Sequence, residues 1–351
     1  MTDHAAQTNA PRRPAAAPVG EGRGYRAFSP VSKKVASEIT MMTQDEADYT
    51  GRWSPDQKPE FLSLTDNGPK VRYLRVGRGP VLVLLHSIRT QLDLFQRVIP
   101  KLASHFTVYA FDFPGFGWSE IVPGADYREP AMRGHVVAFI ERLDLRDVTL
   151  AGESMGATLA LTSAAVLGDR VKQVVAFNAY DYLPGVERAS LLASILVKSV
   201  RAPLIGPVFA AMESRASLAG IFKGGFHDPK NLPSDLVDEL LKGGKRPGYS
   251  RVARAVYRGL PSYVAARSYY DRIDVPVTLV YGDHDWSRPA EREADRSRIK
   301  GARMIILEDT GHIVSLDSPD AFARILVETQ SNAHGPSAGS AQGIRTDGTN
   351  R

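Results

Sequence analysis

The chain has 351 residues, 43% hydrophobic and 24% charged, which suits a globular protein with a sizeable core. No apolar run approaches the ~18 residues of a membrane span, no signal-peptide core is visible near the N-terminus, and zero cysteines exclude disulfides, thiol nucleophiles and Cys-ligated zinc. The formal net charge of +5 comes with no aromatic-interleaved basic stripe, so the expected partner is a small molecule, with no nucleic acid, no integral membrane association and a cytoplasmic location.

Residues 1–30, built from Ala, Pro, Gly and Arg, and residues 331–351 lack the large apolar groups a core needs, and both are expected to be disordered tails. Residues 31–60 form an N-terminal arm in which Val31 to Tyr49 could make one helix. From about Phe61 strands and helices alternate. Strands are predicted over Lys70–Val76, Val81–Leu85, Thr107–Asp112, Val148–Ala151, Val171–Phe177, Val277–Tyr281 and Arg303–Leu307. Helical spacing covers Leu92–Ala103, Ala131–Leu143, Ala157–Leu167, Ala290–Ile299 and Pro319–Glu328. Continuous apolar runs such as VLVLL fit strands covered on both faces, so the fold class is α/β, with a mostly parallel, doubly wound sheet.

Residues 182–270 break this rhythm. They hold helical stretches over Arg188–Val200, Leu232–Leu241 and Arg251–Leu260 but no strand, and read as a helical cap inserted into a core of 61–181 and 271–330. This segment carries thirteen Lys/Arg against six Asp/Glu, a net +7, while the rest of 31–330 is −5.

The strongest chemical motif is Gly152-Glu153-Ser154-Met155-Gly156, directly after the strand VTLA and before the helix ATLALTSAAVL. A G-x-S-x-G in that position is the nucleophile elbow, which holds a serine on a strained strand-to-helix turn. The helix N-terminus there favours developing negative charge. A serine hydroxyl needs an adjacent base. Of eight histidines, His312 follows the strand MIIL within Asp309-Thr310-Gly311-His312, and loops at strand C-termini are where such sheets place their sites. The orienting acid should lie between Ser and His in chain order. Asp285 in Gly282-Asp283-His284-Asp285 follows the strand VTLVY; Asp283 reads as a turn residue, and Asp181, after KQVVAF, is the competing acid. The loop His86-Ser87-Ile88 after VLVLL should supply one oxyanion donor, the Ile88 N–H, and Met155 N–H the other. Asp112-Phe113-Pro114-Gly115-Phe116-Gly117-Trp118-Ser119 reads as a structural turn.

Together these motifs resemble the lid-bearing α/β hydrolases, a superfamily of esterases, epoxide hydrolases, haloalkane dehalogenases and C–C bond hydrolases. The resemblance covers about residues 61–330 and implies Ser154 as nucleophile, Asp285 as acid and His312 as base. Dehalogenases and epoxide hydrolases carry a carboxylate at the elbow, which Ser154 argues against. Many relatives read His-Gly where this chain has His86-Ser87, and Arg89, two residues on, could bind a substrate carboxylate or be a surface charge. The expected activity is hydrolysis of a small-to-medium carboxylic ester through an acyl-enzyme, with no metal and no organic cofactor. The alternatives are C–C bond hydrolysis or cofactor-free perhydrolysis by the same residues, or a ligand receptor with slow turnover.

Overall fold

The computed structural model describes residues 57–332. The predicted tail 1–30, the arm helix from Val31 to Tyr49 and residues 333–351 lie outside the described residues.

Eight strands form one sheet: β1 (Glu60–Ser63), β2 (Lys70–Val76), β3 (Val81–Leu85), β4 (Thr107–Phe111), β5 (Val148–Glu153), β6 (Val171–Phe177), β7 (Val277–Gly282) and β8 (Arg303–Leu307). Their order is β1-β2-β4-β3-β5-β6-β7-β8. β1 and β2 pair antiparallel, as do β2 and β4, and every later pairing is parallel. The chain therefore folds as an α/β protein around a mostly parallel sheet.

The sheet divides the core into two apolar layers, and β3 shows why its run of five apolar residues is needed. Val83 and Leu85 join one layer with Met132, Val136, Phe139 and Ile140; Leu82 and Leu84 join the other with Phe95, Ile99 and Phe322. Side chains two apart share a face, so a strand covered on both faces must be apolar at every position. The first layer is covered by α2 (Glu129–Arg142) and α3 (Met155–Leu167), the second by α1 (Ile99–Leu102) and α12 (Pro319–Asn332). Phe322 of α12 stacks on Phe177 at the end of β6, with ring centroids 3.9 Å apart. Each such fully buried side chain contributes about 1.5–3 kcal/mol.

Three local expectations are corrected. The helix predicted over Leu92–Ala103 is a 3₁₀ turn, Leu92–Phe95, followed by the four-residue α1. Pro100 has no N–H and its ring opposes the carbonyl four residues back, so a continuous helix cannot pass through it. The edge strand β1 was not anticipated; its four residues pair on one side only. Finally, α12 continues to Asn332, so residues 331 and 332 belong to a helix rather than to a tail.

Between β6 and β7 lie six α-helices: α4 (Leu191–Arg201), α5 (Gly206–Ala211), α6 (Arg215–Lys223), α7 (Ser234–Gly244), α8 (Tyr249–Gly259) and α9 (Pro261–Ala265); α10 (Pro289–Arg298) follows β7 and α11 (Val314–Asp317) follows β8. Serine caps start two of them: Ser190 Oγ accepts from Ala193 N at 3.0 Å, and Ser214 and Ser217 close a reciprocal box. This segment bonds repeatedly to loops that follow strand C-termini. Trp118 Nε1 donates to Glu239 (2.7 Å), Arg188 to the Trp286 carbonyl (2.9 Å), and the Ile313 N–H to the Gly225 carbonyl (3.0 Å). Six residues past β8 and four past β7, the chain is thus in contact with the helical segment. Among the described residues no helix is long and apolar enough to cross a membrane.

Candidate active site

Ser154 sits between β5 and α3 with φ 59° and ψ −119°. A non-glycine residue pays for positive φ in steric strain, and such strain persists only where the surroundings enforce it. Here the Ser154 N–H is held by the Phe177 carbonyl (2.9 Å), and its own carbonyl accepts from Ala157 (3.0 Å). The flanking glycines are required by close approach: a Cβ on Gly152 would lie 2.2 Å from the Gly156 oxygen, and one on Gly156 would lie 2.0 Å from the Leu85 oxygen.

His312, in the loop after β8, places Nε2 2.8 Å from Ser154 Oγ. Its Nδ1 is hydrogen-bonded to Asp285 Oδ1 in the loop after β7. Because an ionised carboxylate only accepts, that bond assigns the proton to Nδ1 and leaves the Nε2 lone pair toward the serine hydroxyl. Asp285 Oδ2 accepts from Ser287 N (2.9 Å) and from the Ser287 hydroxyl, whose oxygen in turn accepts from Arg292 Nε (2.8 Å). Burial alone would push the Asp285 carboxyl up, but the His312 charge and the bonds from His312 and Ser287 outweigh it and hold it below its ordinary value. Ser154, His312 and Asp285 are all buried.

Several supporting residues carried no sequence signal. Asn178, in the left-handed region with φ 48°, donates to the carbonyls of Gly311 (3.0 Å) and His312 (2.9 Å) and accepts from Gly282 N (2.9 Å). It joins the end of β6 to both the acid and the histidine loops. Glu153, the variable position of the elbow motif, accepts from Ser315 N (3.0 Å) and Ser315 Oγ (2.7 Å) beneath His312, and burial raises its carboxyl to about 7. The indole of Trp286 stacks on the His312 ring at 3.7 Å and 13°, and its Nε1 donates to the Gly224 carbonyl (2.9 Å).

The competing acid is elsewhere. Asp181 accepts from Tyr270 OH (2.5 Å), and burial together with the nearby Asp295 raises its carboxyl. Asp283 accepts from the N–H groups of Asp309 (3.2 Å) and Thr310 (3.1 Å), which is the bonding of a turn residue. Asp112 ties its own loop together, accepting from Arg72 (2.7 Å), Leu92 N (2.7 Å) and Trp118 N (2.8 Å), while Arg72 also bonds Asp93 (2.6 Å).

The loop after β3 is fixed by His86, whose Nε2 accepts from Phe113 N (3.0 Å) and whose Nδ1 donates to the Ser87 carbonyl (2.8 Å). Burial lowers this imidazole to about 4, so it stays neutral. The loop presents Ile88 and, in a left-handed conformation, Arg89. Arg89 is not a surface charge: it is buried, paired with Glu213 of the helical segment and packed over the Tyr249 ring at 4.8 Å. Met155 opens α3, where the first N–H groups have no intrahelical partner.

Above these loops is a cavity of about 60 Å³. Its body-side lining is Ser87, Ile88, Arg89, Trp286 and Ile313; its other side comes from the helical segment, including Leu196, Val200, Phe209 and Met212. His312 is next in chain to Ile313 and stacks on Trp286 of this lining, and Ser154 bonds to His312. Among the described residues one group has metal-ligating composition: the exposed His227, His284 and Asp309, whose candidate ligand atoms lie within 4.8 Å of one another. None of the three lines the cavity.

Comparison with known proteins agrees with this fold. An uncharacterised protein of Mycobacterium tuberculosis is 28% identical over 278 residues, spanning 76% of this chain and 80% of the relative. The 2-(acetamidomethylene)succinate hydrolase of Mesorhizobium japonicum is 27% identical over 70% of this chain and 85% of its own length. The solved structure of Cfl2 from Burkholderia cenocepacia matches with a TM-score of 0.69 at 22% identity, over 79% of this chain and 97% of that one, which is a likeness of fold. The model of the alpha/beta hydrolase family matches residues 82–325, and the chain belongs to that family.

Proposed function

We propose that the protein is a serine hydrolase that cleaves a carboxylic ester through an acyl-enzyme. The observation that carries this reading is the unbroken hydrogen-bond chain from Ser154 Oγ through the His312 imidazole to Asp285, buried where β5 turns into α3. In this reading His312 Nε2 takes the hydroxyl proton as Ser154 Oγ bonds to the carbonyl carbon. Asp285 keeps Nδ1 in the right tautomer and stabilises the imidazolium. Negative charge moves to the carbonyl oxygen, for which the N–H groups of Met155 and Ile88 are the donors. His312 then protonates the alcohol oxygen as the C–O bond breaks, and the same steps with water release the acid. No metal or organic cofactor takes part.

The helical segment 182–270 serves as a cap in this scheme. Its apolar contribution to the cavity, Leu196, Val200 and Phe209, favours an apolar acyl or alcohol group, and Arg89, already paired with Glu213, is not free to take a carboxylate. Since Ser154 is fully buried, the cap must shift to admit substrate.

Ser154→Ala should lower kcat on short p-nitrophenyl esters by at least ~10³-fold while leaving the fold intact, because the three groups act as a unit. A fluorophosphonate probe should label the wild type at Ser154 and leave the variant unlabelled. Equal labelling of both proteins would discard the assignment.

A further inference from the structure

Ten large hydrophobic side chains are exposed among the described residues, and eight of them lie between Leu191 and Met212. Leu204 is 92% exposed, Leu191 78% and Met212 70%. Single exposed apolar residues are ordinary, but a cluster confined to α4, α5 and the residues that adjoin them marks a surface that is covered by something. Cations outnumber acids along this stretch. From Ser190 to His227 the chain carries Lys198, Arg201, Arg215 and Lys223 against a single acid, Glu213, and that acid is turned inward to Arg89. Arg201 is paired with Glu187 and Arg215 with Asp238, and Lys198 and Lys223 are exposed. Apolar side chains flanked by cations in excess of acids are complementary to an anionic lipid surface, where the apolar face enters the acyl boundary and the cations meet phosphate. A two-fold pairing of this face with its own copy would set one excess of cations against another.

The same helices form the cavity wall. Leu196 and Val200 of α4 point into the cavity that the exposed Leu191, Leu192 and Ile195 back. Phe209 and Met212 are both exposed and part of the lining, so the cavity reaches the surface within the apolar patch. We infer that this face of the cap rests on an anionic phospholipid bilayer and draws from it an ester with an apolar chain, which enters past Phe209 and Met212. The choice of substrate rests on the ester-hydrolase reading above; the docking does not.

Flotation of the full chain with vesicles separates the two. Wild type should float with phosphatidylcholine vesicles containing about a third phosphatidylglycerol and far less with pure phosphatidylcholine. Combining Leu191→Ser, Leu204→Ser and Val208→Ser, none of them lining the cavity, should cut the bound fraction at least tenfold and leave kcat/KM on a short water-soluble ester unchanged. Lys198→Glu should weaken binding to the anionic vesicles alone. On a long-chain ester dispersed in the same vesicles, wild type should turn over at least tenfold faster than the triple variant. Wild type left unbound at low salt, or a triple variant that floats equally well, overturns the docking. A wild-type dimer in light scattering that the triple variant loses would also overturn it, by making the face a contact between copies. Flotation without any advantage on the dispersed ester overturns the delivery step. Failure of Ser154 to react with the fluorophosphonate, with flotation intact, would instead remove the hydrolase reading and leave the docking standing.

Discussion

Asp285 and Asp181 both follow a strand, both precede His312 in the chain and both are buried, yet their surroundings differ in kind. Asp285 is stabilised as an anion by His312 and Ser287, whereas Asp181 is pushed toward its neutral form by burial and by Asp295. Only an anion can hold the Nδ1 proton of an imidazole and balance the imidazolium. Asp285→Asn should therefore cost on the order of 10³–10⁴ in kcat, and Asp181→Asn less than about tenfold; reversed penalties would move the acid to Asp181. Glu153 gives a second test at this scale, through stability. Its carboxyl is raised from 4.5 to about 7 in the folded protein, mainly by burial. Between those values the native state keeps a proton that the unfolded chain has lost, so this residue's contribution declines as pH rises from about 4.5 to 7 and is level above that. The whole decline is about 3 kcal/mol. Urea unfolding of wild type and Glu153→Gln across that range should give curves that converge or diverge by this amount. Parallel curves would mean that the carboxyl titrates near its ordinary value.

At the level of elements, the Arg89–Glu213 pair links the β3 loop to the helical segment, with side chains 9% and 20% exposed. Glu213→Ala leaves a buried guanidinium without its partner and should destabilise by about 2–4 kcal/mol. Arg89→Met with Glu213→Leu should recover most of that loss. If Glu213→Ala unfolds within about 0.5 kcal/mol of wild type, the pair is as weak as an exposed one. The sequence offered no sign of this pair, because its members are 124 residues apart and each looks like an ordinary surface charge. The same holds for Asn178, whose partners in the histidine loop are 133 and 134 residues away. By contrast, the bounds of β2, β3, β6 and β8 can be read from the chain, since alternation or an uninterrupted apolar run permits one assignment of faces. The α/β class follows from that reading, and so does the position of Ser154, because the G-x-S-x-G lies between an apolar run and a helical one. Apolar spacing misleads at Leu92–Leu102, where Leu92, Phe95, Ile99 and Leu102 are all buried on what looks like one helical face although Pro100 breaks the backbone. The short α5 escapes notice for the opposite reason: its Val208 and Phe209 face solvent, so no periodic contrast exists between an inner and an outer side.

Across the whole molecule the charge is divided between a helical segment of +7 and a remainder of 31–330 at −5. Part of the segment's positive charge holds it to the body. Arg188 bonds Glu291 (2.7 Å), Arg246 the carbonyls of Gly117 and Ser119, and Arg267 Asp295 (2.9 Å). Another part faces solvent: Lys198, Lys223, Lys230, Lys245, Arg251 and Arg258 are exposed, against exposed acids at Asp228, Asp235 and Asp238. That surplus produces a positive field without any free cation in the cavity lining, where Arg89 is neutralised by Glu213. A field of this kind raises the rate of encounter with anions and not the rate of the bound reaction. With a matched pair of soluble esters, one neutral and one carrying a distal carboxylate, the anionic ester should show the higher kcat/KM at low salt and an unchanged kcat. Its advantage should shrink toward unity as the Debye length falls from ~30 Å at 0.01 M to ~3 Å at 1 M. An advantage that survives 1 M salt would require a short-range partner. Arg89 would then have to exchange Glu213 for the substrate carboxylate, and Glu213→Gln should enlarge the preference further.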